Sequence, residues 1–278
     1  MCEIESLLRH YSGVEGWNIQ RPHEGASGRP KFVARRNNHV VFVTLDVPVS
    51  ALRRLAALGV TPNVLDAGIY EGRTYCIQEY LAGTRPDVRW FSSHMHEVAT
   101  LIRTYHKDSE LQRLAAESAP TTGESAPQWE VRQLEERARS LGGTCNVLTA
   151  VAEFVRQAES MPAMPLVATH SDPNLSNFVL YLGRTYLVDW DDVVLSHPGR
   201  DLGPLLWWYF SPENWEAFLD AYGMGFEPDV VYWWAARISL AVAIWFVERD
   251  THAAAERFIE DFIAATNRRG NPQRLRHR

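Results

Sequence analysis

Between His170 and Asp191 the chain carries oxygen donors at spacings suited to phosphoryl transfer. The run His170-Ser171-Asp172-Pro173-Asn174-Leu175-Ser176-Asn177 sets an asparagine five residues after an aspartate, and a short apolar hairpin then leads to Asp189-Trp190-Asp191. Magnesium takes hard oxygen ligands in near-octahedral array and keeps part of its shell for water and substrate phosphates. Asn177 and Asp189 supply protein oxygens for such an ion, which leaves Asp172 to accept the proton of an attacking hydroxyl. Taken singly, Asp172 or Asn177 reads as a turn residue bonding its own backbone, and Asp189 as the end of a strand. Their joint spacing argues for chemistry.

These groups need a scaffold, and the pattern along the chain supplies one in two parts. Residues 1–83 read as a small strand-rich unit. Val40 to Leu45 is a β-branched run preceded by the turn signal Asn37-Asn38 and by the arm Lys31 to Arg36, which predicts a hairpin. Upstream, Glu24-Gly25-Ala26-Ser27-Gly28 is a small-residue loop. Its amides, around Ser27, suit a phosphate, and a plain connecting turn is the competing reading. Val49 to Leu58 has helical spacing and stops at Gly59, and strands follow over 64–70 and 74–80 around Glu71-Gly72-Arg73. Beyond the connector Gln78-Glu79-Tyr80-Leu81-Ala82-Gly83 the pattern turns helical. One helix is expected over Phe91 to His106, a loop over Glu117 to Pro127, helices over 129–140 and 146–159, a strand at 166–169 and several helices over 202–266.

Bulk properties narrow the class. A chain of 278 residues suffices for two lobes around one cleft. A net charge of −6 argues against a nucleic-acid surface, and the basic tail at Arg268, Arg269, Arg274, Arg276 and Arg278 reads as a solvated terminus. Cys2, Cys76 and Cys145 form neither a disulfide framework nor a zinc motif. No apolar run approaches the ~20 residues of a membrane span, and Glu3 and Glu5 stand where a secretory signal would be basic. Cytoplasmic residence, with no membrane partner, is the expectation.

The order of parts, with the Gln-Glu-Tyr-Leu-Ala-Gly connector, His-x-Asp-x-x-x-x-Asn, Asp189-Trp190-Asp191 and Pro198-Gly199-Arg200-Asp201-Leu202, resembles the aminoglycoside phosphotransferase and choline kinase-like family. The resemblance implies an α+β, bilobal, protein-kinase-like fold with a small antiparallel sheet in one lobe. Residues 1–83 would form the nucleotide-binding lobe with its hinge, and 84–278 the helical lobe with catalytic loop and acceptor site. It implies that Asp172 is the base, that His170 orients the catalytic loop, that Asn177 and Asp189 hold Mg2+, and that Asp201 braces the loop from below. The hinge residues Glu79, Tyr80 and Leu81 would meet the adenine of ATP, or the base of GTP, with Ile77 and Cys76 lining the approach. The acceptor would be a hydroxyl of a small molecule such as an aminoglycoside or amino alcohol, and a part in antibiotic resistance is what the family name suggests. A protein kinase fits less well, because the Asp189 triplet lacks that class's glycine and no activation segment fits between Asp191 and Pro198.

One departure stands out. Kinases of this fold carry a lysine on the third strand, paired with a glutamate on the following helix. Thr44 stands where that lysine belongs, and the helix from Val49 holds no acid, only Arg53 and Arg54. Losing both is less costly than stranding one buried charge. Lys31, Arg35 and Arg36 on the neighbouring arm are the cations within reach, although hairpin charges are ordinarily solvated. Two readings follow: an active kinase with a rerouted cation, or a kinase-fold binding protein with weak or no transfer.

For the acceptor, Trp207 and Trp208 belong to an aromatic-rich helical lobe. Tryptophan faces attract cations, whereas most helical tryptophans fill cores. Adjacent on a helix, Trp207 and Trp208 cannot face the same way, so one would line a pocket while the other packs inside. Asp191 reads equally as a second metal contact, a contact to a cationic substrate or a solvated loop acid, and Asp192 adds to the negative charge.

Overall fold

The computed structural model describes residues 2–22, 29–117, 126–141, 145–225 and 227–272. It has the α+β, two-lobed, kinase-like architecture expected from the sequence. The first lobe runs α1 (Cys2–Ser12), β1 (Asn18–Gln20), β2 (Lys31–Arg36), β3 (His39–Leu45), α2 (Val49–Ala57), β4 (Val64–Tyr70) and β5 (Arg73–Glu79), and its five strands form one antiparallel sheet in the order β1-β2-β3-β5-β4. Strand residues alternate between faces with period two. Phe32, Ala34, Val41, Val43, Leu45, Tyr75 and Ile77 face outward and pack beneath Ile4, Leu7 and Leu8 of α1. Lys31, Thr44 and Gln78 fall on the opposite face and line the interlobe cleft. Neither α1 nor β1 was expected from the sequence. Gly59, at φ +71°, takes the left-handed conformation that stops α2.

The second lobe contains α3 (Val88–Ser93), α4 (Met95–His106), α5 (Ser109–Glu117), α6 (Ala126–Ala138), α7 (Cys145–Ala158), β6 (Val167–Thr169), β7 (Phe178–Tyr181), β8 (Arg184–Leu187), β9 (Val194–Ser196), α8 (Gly199–Tyr209), α9 (Trp215–Tyr222), α10 (Pro228–Val247) and α11 (His252–Thr266). The single helix expected over Phe91 to His106 is two helices broken at His94, whose backbone (φ −116°, ψ 29°) leaves the helical region; α3 starts earlier because Asp87 caps it by accepting from Trp90 N. The expectation about apolar runs also needs correction. Helix α10 is long and apolar enough to span a bilayer, yet 61% of its apolar window is buried inside the protein. Its Arg237 is paired with Glu130 of α6, so the helix is the core of the lobe.

Backbone hydrogen bonds tie the β7–β8 hairpin to the connector's end and to the first lobe. Thr84 N donates to Leu180 O at 3.0 Å and Leu180 N to Thr84 O at 2.8 Å, which pins the connector onto β7. Leu187 N donates to Val60 O at 2.8 Å, so the β7–β8 hairpin is held by the turn after α2 as well. The hairpin that ends just before Asp189 is therefore registered against both halves of the molecule.

Candidate functional site

Asp201, fully buried in the first turn of α8, sets the loop that carries Asp172. Its Oδ2 accepts from His170 N at 2.8 Å and its Oδ1 from Ser171 N at 2.7 Å, while Tyr105 Oη and His106 Nε2 donate to Oδ2 at 2.7 and 3.0 Å. Burial alone would raise this carboxyl. The hydrogen bond and charge of His106 and the loop amide of His170 outweigh burial and hold it below the usual carboxylate range. Two consecutive amides drawn onto one carboxylate require a sharp bend, and Ser171 accordingly sits at φ 73°. His170 ties the bend to the residue that follows β8, with Nε2 2.9 Å from Val188 O and Nδ1 accepting from Asp172 N at 3.3 Å.

Asp172 emerges from this loop at the cleft floor. Its Oδ2 accepts from Asn174 Nδ2 at 2.8 Å, and its backbone carbonyl accepts from Asn177 Nδ2 at 2.8 Å. The side chain is exposed to the cleft, yet it sits deep enough between the lobes to lose part of its hydration. That desolvation pushes its pKa up, against the hydrogen bond from Asn174. A carboxylate made more basic in this way suits the role of proton acceptor.

Asn177 is buried, with Nδ2 committed to the loop, so Oδ1 is the atom it has left to offer as a donor to a metal. Val188 N donates to Asn177 O at 2.8 Å and sets Asp189 beside it at φ 71°. An amide oxygen and a carboxylate form the hard-oxygen set that suits magnesium. Asp172, Asn177 and Asp189 all line one interlobe cavity of about 1720 Å³.

Lys31 also lines this cavity, against the expectation of a solvated hairpin charge. Its side chain is 8% exposed, and Nζ donates to Asp189 and lies 2.9 Å from Asp191 Oδ1. Of the other arm cations, Arg35 also lines the cavity, stacked over Tyr80 at 5.2 Å, and Arg36 Nε donates to Glu15 O at 3.0 Å. Arg29 pairs with Asp192 at 2.7 Å. The inward face of Lys31 was legible in principle from the two-residue period that puts it opposite Thr44.

At the hinge, Gln78, Glu79, Tyr80 and Leu81 line the cavity, and Asn63 holds Glu79 through Nδ2 at 2.8 Å. Thr44 lines it too, with Oγ1 3.5 Å from Cys76 O. Ile77 packs outward beneath α1, and Cys76 is fully buried with its thiol pushed up to about 12 by burial; neither lines the approach as the resemblance implied. Ser27 lies outside the described residues.

Trp207 does not reach the cavity. It is buried in the helical core, with Nε1 donating to Arg269 O at 3.0 Å, because helical geometry turns it away from its neighbour. Trp208 does line the cavity, together with Trp245, Phe246 and Phe258, and its Nε1 donates to Asp261 Oδ2 at 3.3 Å. Phe258 and Asp261, on α11, belong to no local motif, and no sequence signal marks them.

Several solved structures share this fold at low identity. A spectinomycin phosphotransferase determined with ADP and spectinomycin gives a TM-score of 0.70 at 13% identity, over 95% of this chain and 98% of that one. Choline kinase LicA from Streptococcus pneumoniae gives 0.66 at 17% identity, over 93% and 98%. A choline/ethanolamine kinase family protein from Mesorhizobium loti gives 0.61 at 20% identity, over 94% and 95%. Residues 15–237 match the phosphotransferase enzyme family, and the matched span runs from the first lobe into α10. Because that span holds Lys31, Asp172, Asn177, Asp189 and the bracing Asp201, the whole cleft floor lies within the match, and the chain belongs to the phosphotransferase enzyme family.

Proposed function

We propose that this chain is a small-molecule kinase that transfers the γ-phosphoryl group of a nucleotide, ATP or GTP, to a hydroxyl of a small aminated acceptor. The observation that carries the reading is the sharing of one interlobe cavity by Asp172, Asn177 and Asp189. Phosphoryl transfer depends mainly on positioning and charge neutralisation, and a rigid cleft floor meets that need. Asp172 accepts the acceptor's hydroxyl proton, aided by the desolvation that makes it more basic. His170 and Asp201 hold the loop, and the hinge from Glu79 to Leu81 takes the nucleotide base. Asn177 and Asp189 would hold magnesium, which when bound neutralises charge on the bridging phosphates.

An aminated acceptor is supported by the aromatic wall of Trp208, Trp245 and Phe258 with Asp261 at Trp208, since aromatic faces and carboxylates both favour cations. The relatives that bear the names spectinomycin phosphotransferase and choline kinase act on compounds of that kind. The second reading, a kinase-fold binding protein with weak or no transfer, draws on Thr44 and on the acid-free α2.

A thermal-shift screen of ATP and GTP with magnesium, crossed with a panel of hydroxylated amines and followed by assay of phosphate transfer to each hit, tests the proposal. Stabilisation by nucleotide plus magnesium and a phosphorylated acceptor are expected. Nucleotide binding without transfer to any acceptor would favour the second reading, and absence of both would remove the kinase assignment.

A further inference from the structure

Resting on the kinase reading above, we propose that Lys31 grips the nucleotide phosphates, supplied from β2 in place of the missing lysine of the third strand, and that Asp191 is the acid that positions it. In the antiparallel pair of β2 and β3, Lys31 is the direct partner of Thr44. Residues directly opposite in such a pair project from the same face with Cβ atoms about 5 Å apart. A lysine moved from position 44 to its partner therefore still faces the cleft, and its flexible four-carbon stem covers the offset.

Three further observations point the same way. The Lys31 side chain is only 8% exposed and lies in the cavity beside Asp172, Asn177 and Asp189, not along the outer hairpin. Its Nζ spans Asp189 and Asp191, so the ammonium sits against the candidate metal ligand, where β- and γ-phosphates must lie for transfer to Asp172's partner hydroxyl. Arg29 and Arg36 are held at Asp192 and the Glu15 carbonyl, and Arg35, although it lines the cavity, stacks over Tyr80 at the hinge, whereas Lys31 meets Asp189 and Asp191.

The missing helix glutamate fits the same rearrangement. A lysine on β3 needs a counter-charge from α2, whereas one on β2 finds it on the loop after β8. That gives Asp191 a definite task, distinct from the three its position in the sequence left open. A charge displaced by one strand, with a counter-charge displaced to match, keeps the cavity's electrostatics while both usual positions change.

Calorimetric titration with ADP plus magnesium and, separately, with adenosine tests this without relying on turnover. Lys31→Met should weaken ADP binding about tenfold or more, as loss of a charge-assisted phosphate contact does, and leave adenosine within about twofold. Adding Thr44→Lys to Lys31→Met should recover most of the lost ADP affinity, and where Lys31→Met alone folds poorly the double variant still decides. ADP affinity unchanged in Lys31→Met, equal weakening for adenosine, or a folded double variant no better than the single one would overturn the role of Lys31 and leave the kinase reading standing. Wild-type protein that binds neither ADP with magnesium nor adenosine would overturn both.

Discussion

Arg200 Nε donates to Ser171 Oγ at 2.8 Å, so a guanidinium from α8 grips the residue immediately before Asp172. The same guanidinium pairs with Glu130 of α6, which also binds Arg237 of α10 at 2.6 Å, and all three side chains are largely buried. Glu130 thus neutralises two buried cations and, through one of them, anchors the loop that carries Asp172. Glu130→Ala should cost about 3–5 kcal/mol, the penalty for stranding buried charge. Urea denaturation measures it, and a loss below about 1 kcal/mol, the scale of an exposed pair, would mean that the triad is solvated in solution.

Asp172→Asn separates base from binding site. Turnover should fall by about 10²–10⁴-fold with ADP affinity nearly unchanged. The wild-type pH profile should show its acidic limb above the ordinary aspartate range near ~3.9, because desolvation raises this carboxyl. A raised carboxyl binds its proton more tightly in the folded state, so stability falls as pH rises from the unfolded pKa to the folded one. At neutral pH that cost persists, and Asp172→Asn should melt higher than wild type. A lower melting temperature would assign the carboxylate a stabilising role instead.

Gly83 marks the crossing of connector and β7. A Cβ there would meet the Leu180 carbonyl and lie 2.6 Å from Val179 Cγ1, at the point where Thr84 and Leu180 exchange backbone hydrogen bonds. Gly83→Ala should destabilise by about 1–3 kcal/mol, the scale of overpacking, and weaken ADP binding by disturbing the hinge. Gly225→Ala, which adds its methyl to open space, serves as control. Equal melting temperatures for the two variants would show that the crossing yields.

His197 supplies an acid-sensitive element apart from the cleft. It is buried, stacks on Trp234 at 5.4 Å and accepts from Gly199 N through Nδ1 at 2.9 Å. Burial pushes its pKa down to about 4, although the Pro162 carbonyl opposes this. Protonation would set a second donor against the Gly199 amide. The unfolded chain takes up this proton near pH ~6.5 and the folded one only near 4, so stability should decline as pH falls across that window and level off below it. The full effect is roughly 3 kcal/mol. Urea melts at pH 7 and pH 4 should differ less in His197→Gln than in wild type by about that amount, and parallel pH dependence would refute the assignment.

The legible parts of this fold are those with local causes. The β2–β3 hairpin follows from Asn37-Asn38 between the polar-apolar arm Lys31 to Arg36 and a β-branched run, and Asn37 adopts φ 53° there. Helix α2 ends where Gly59 permits a left-handed turn. The spacing from Asp172 to Asn177 and Asp189 survives as a shared cavity because it spans one loop and one short hairpin. Helix α1 has no strong local signature, because its apolar face is short and acquires meaning only against the sheet.

By itself, the sequence determined which oxygen-bearing side chains are available, the hairpin that separates them and the two-part order of strands and helices, since each is encoded within a few residues of chain. Tertiary structure alone decided that Lys31 pairs with Asp189 and Asp191, that Trp208 and not Trp207 faces the cavity, and that Phe258 and Asp261 of α11 complete its far wall. The reason is physical: burial and charge pairing depend on which segments meet across the cleft, and residues 31 and 189 are brought together only when two lobes close on one another.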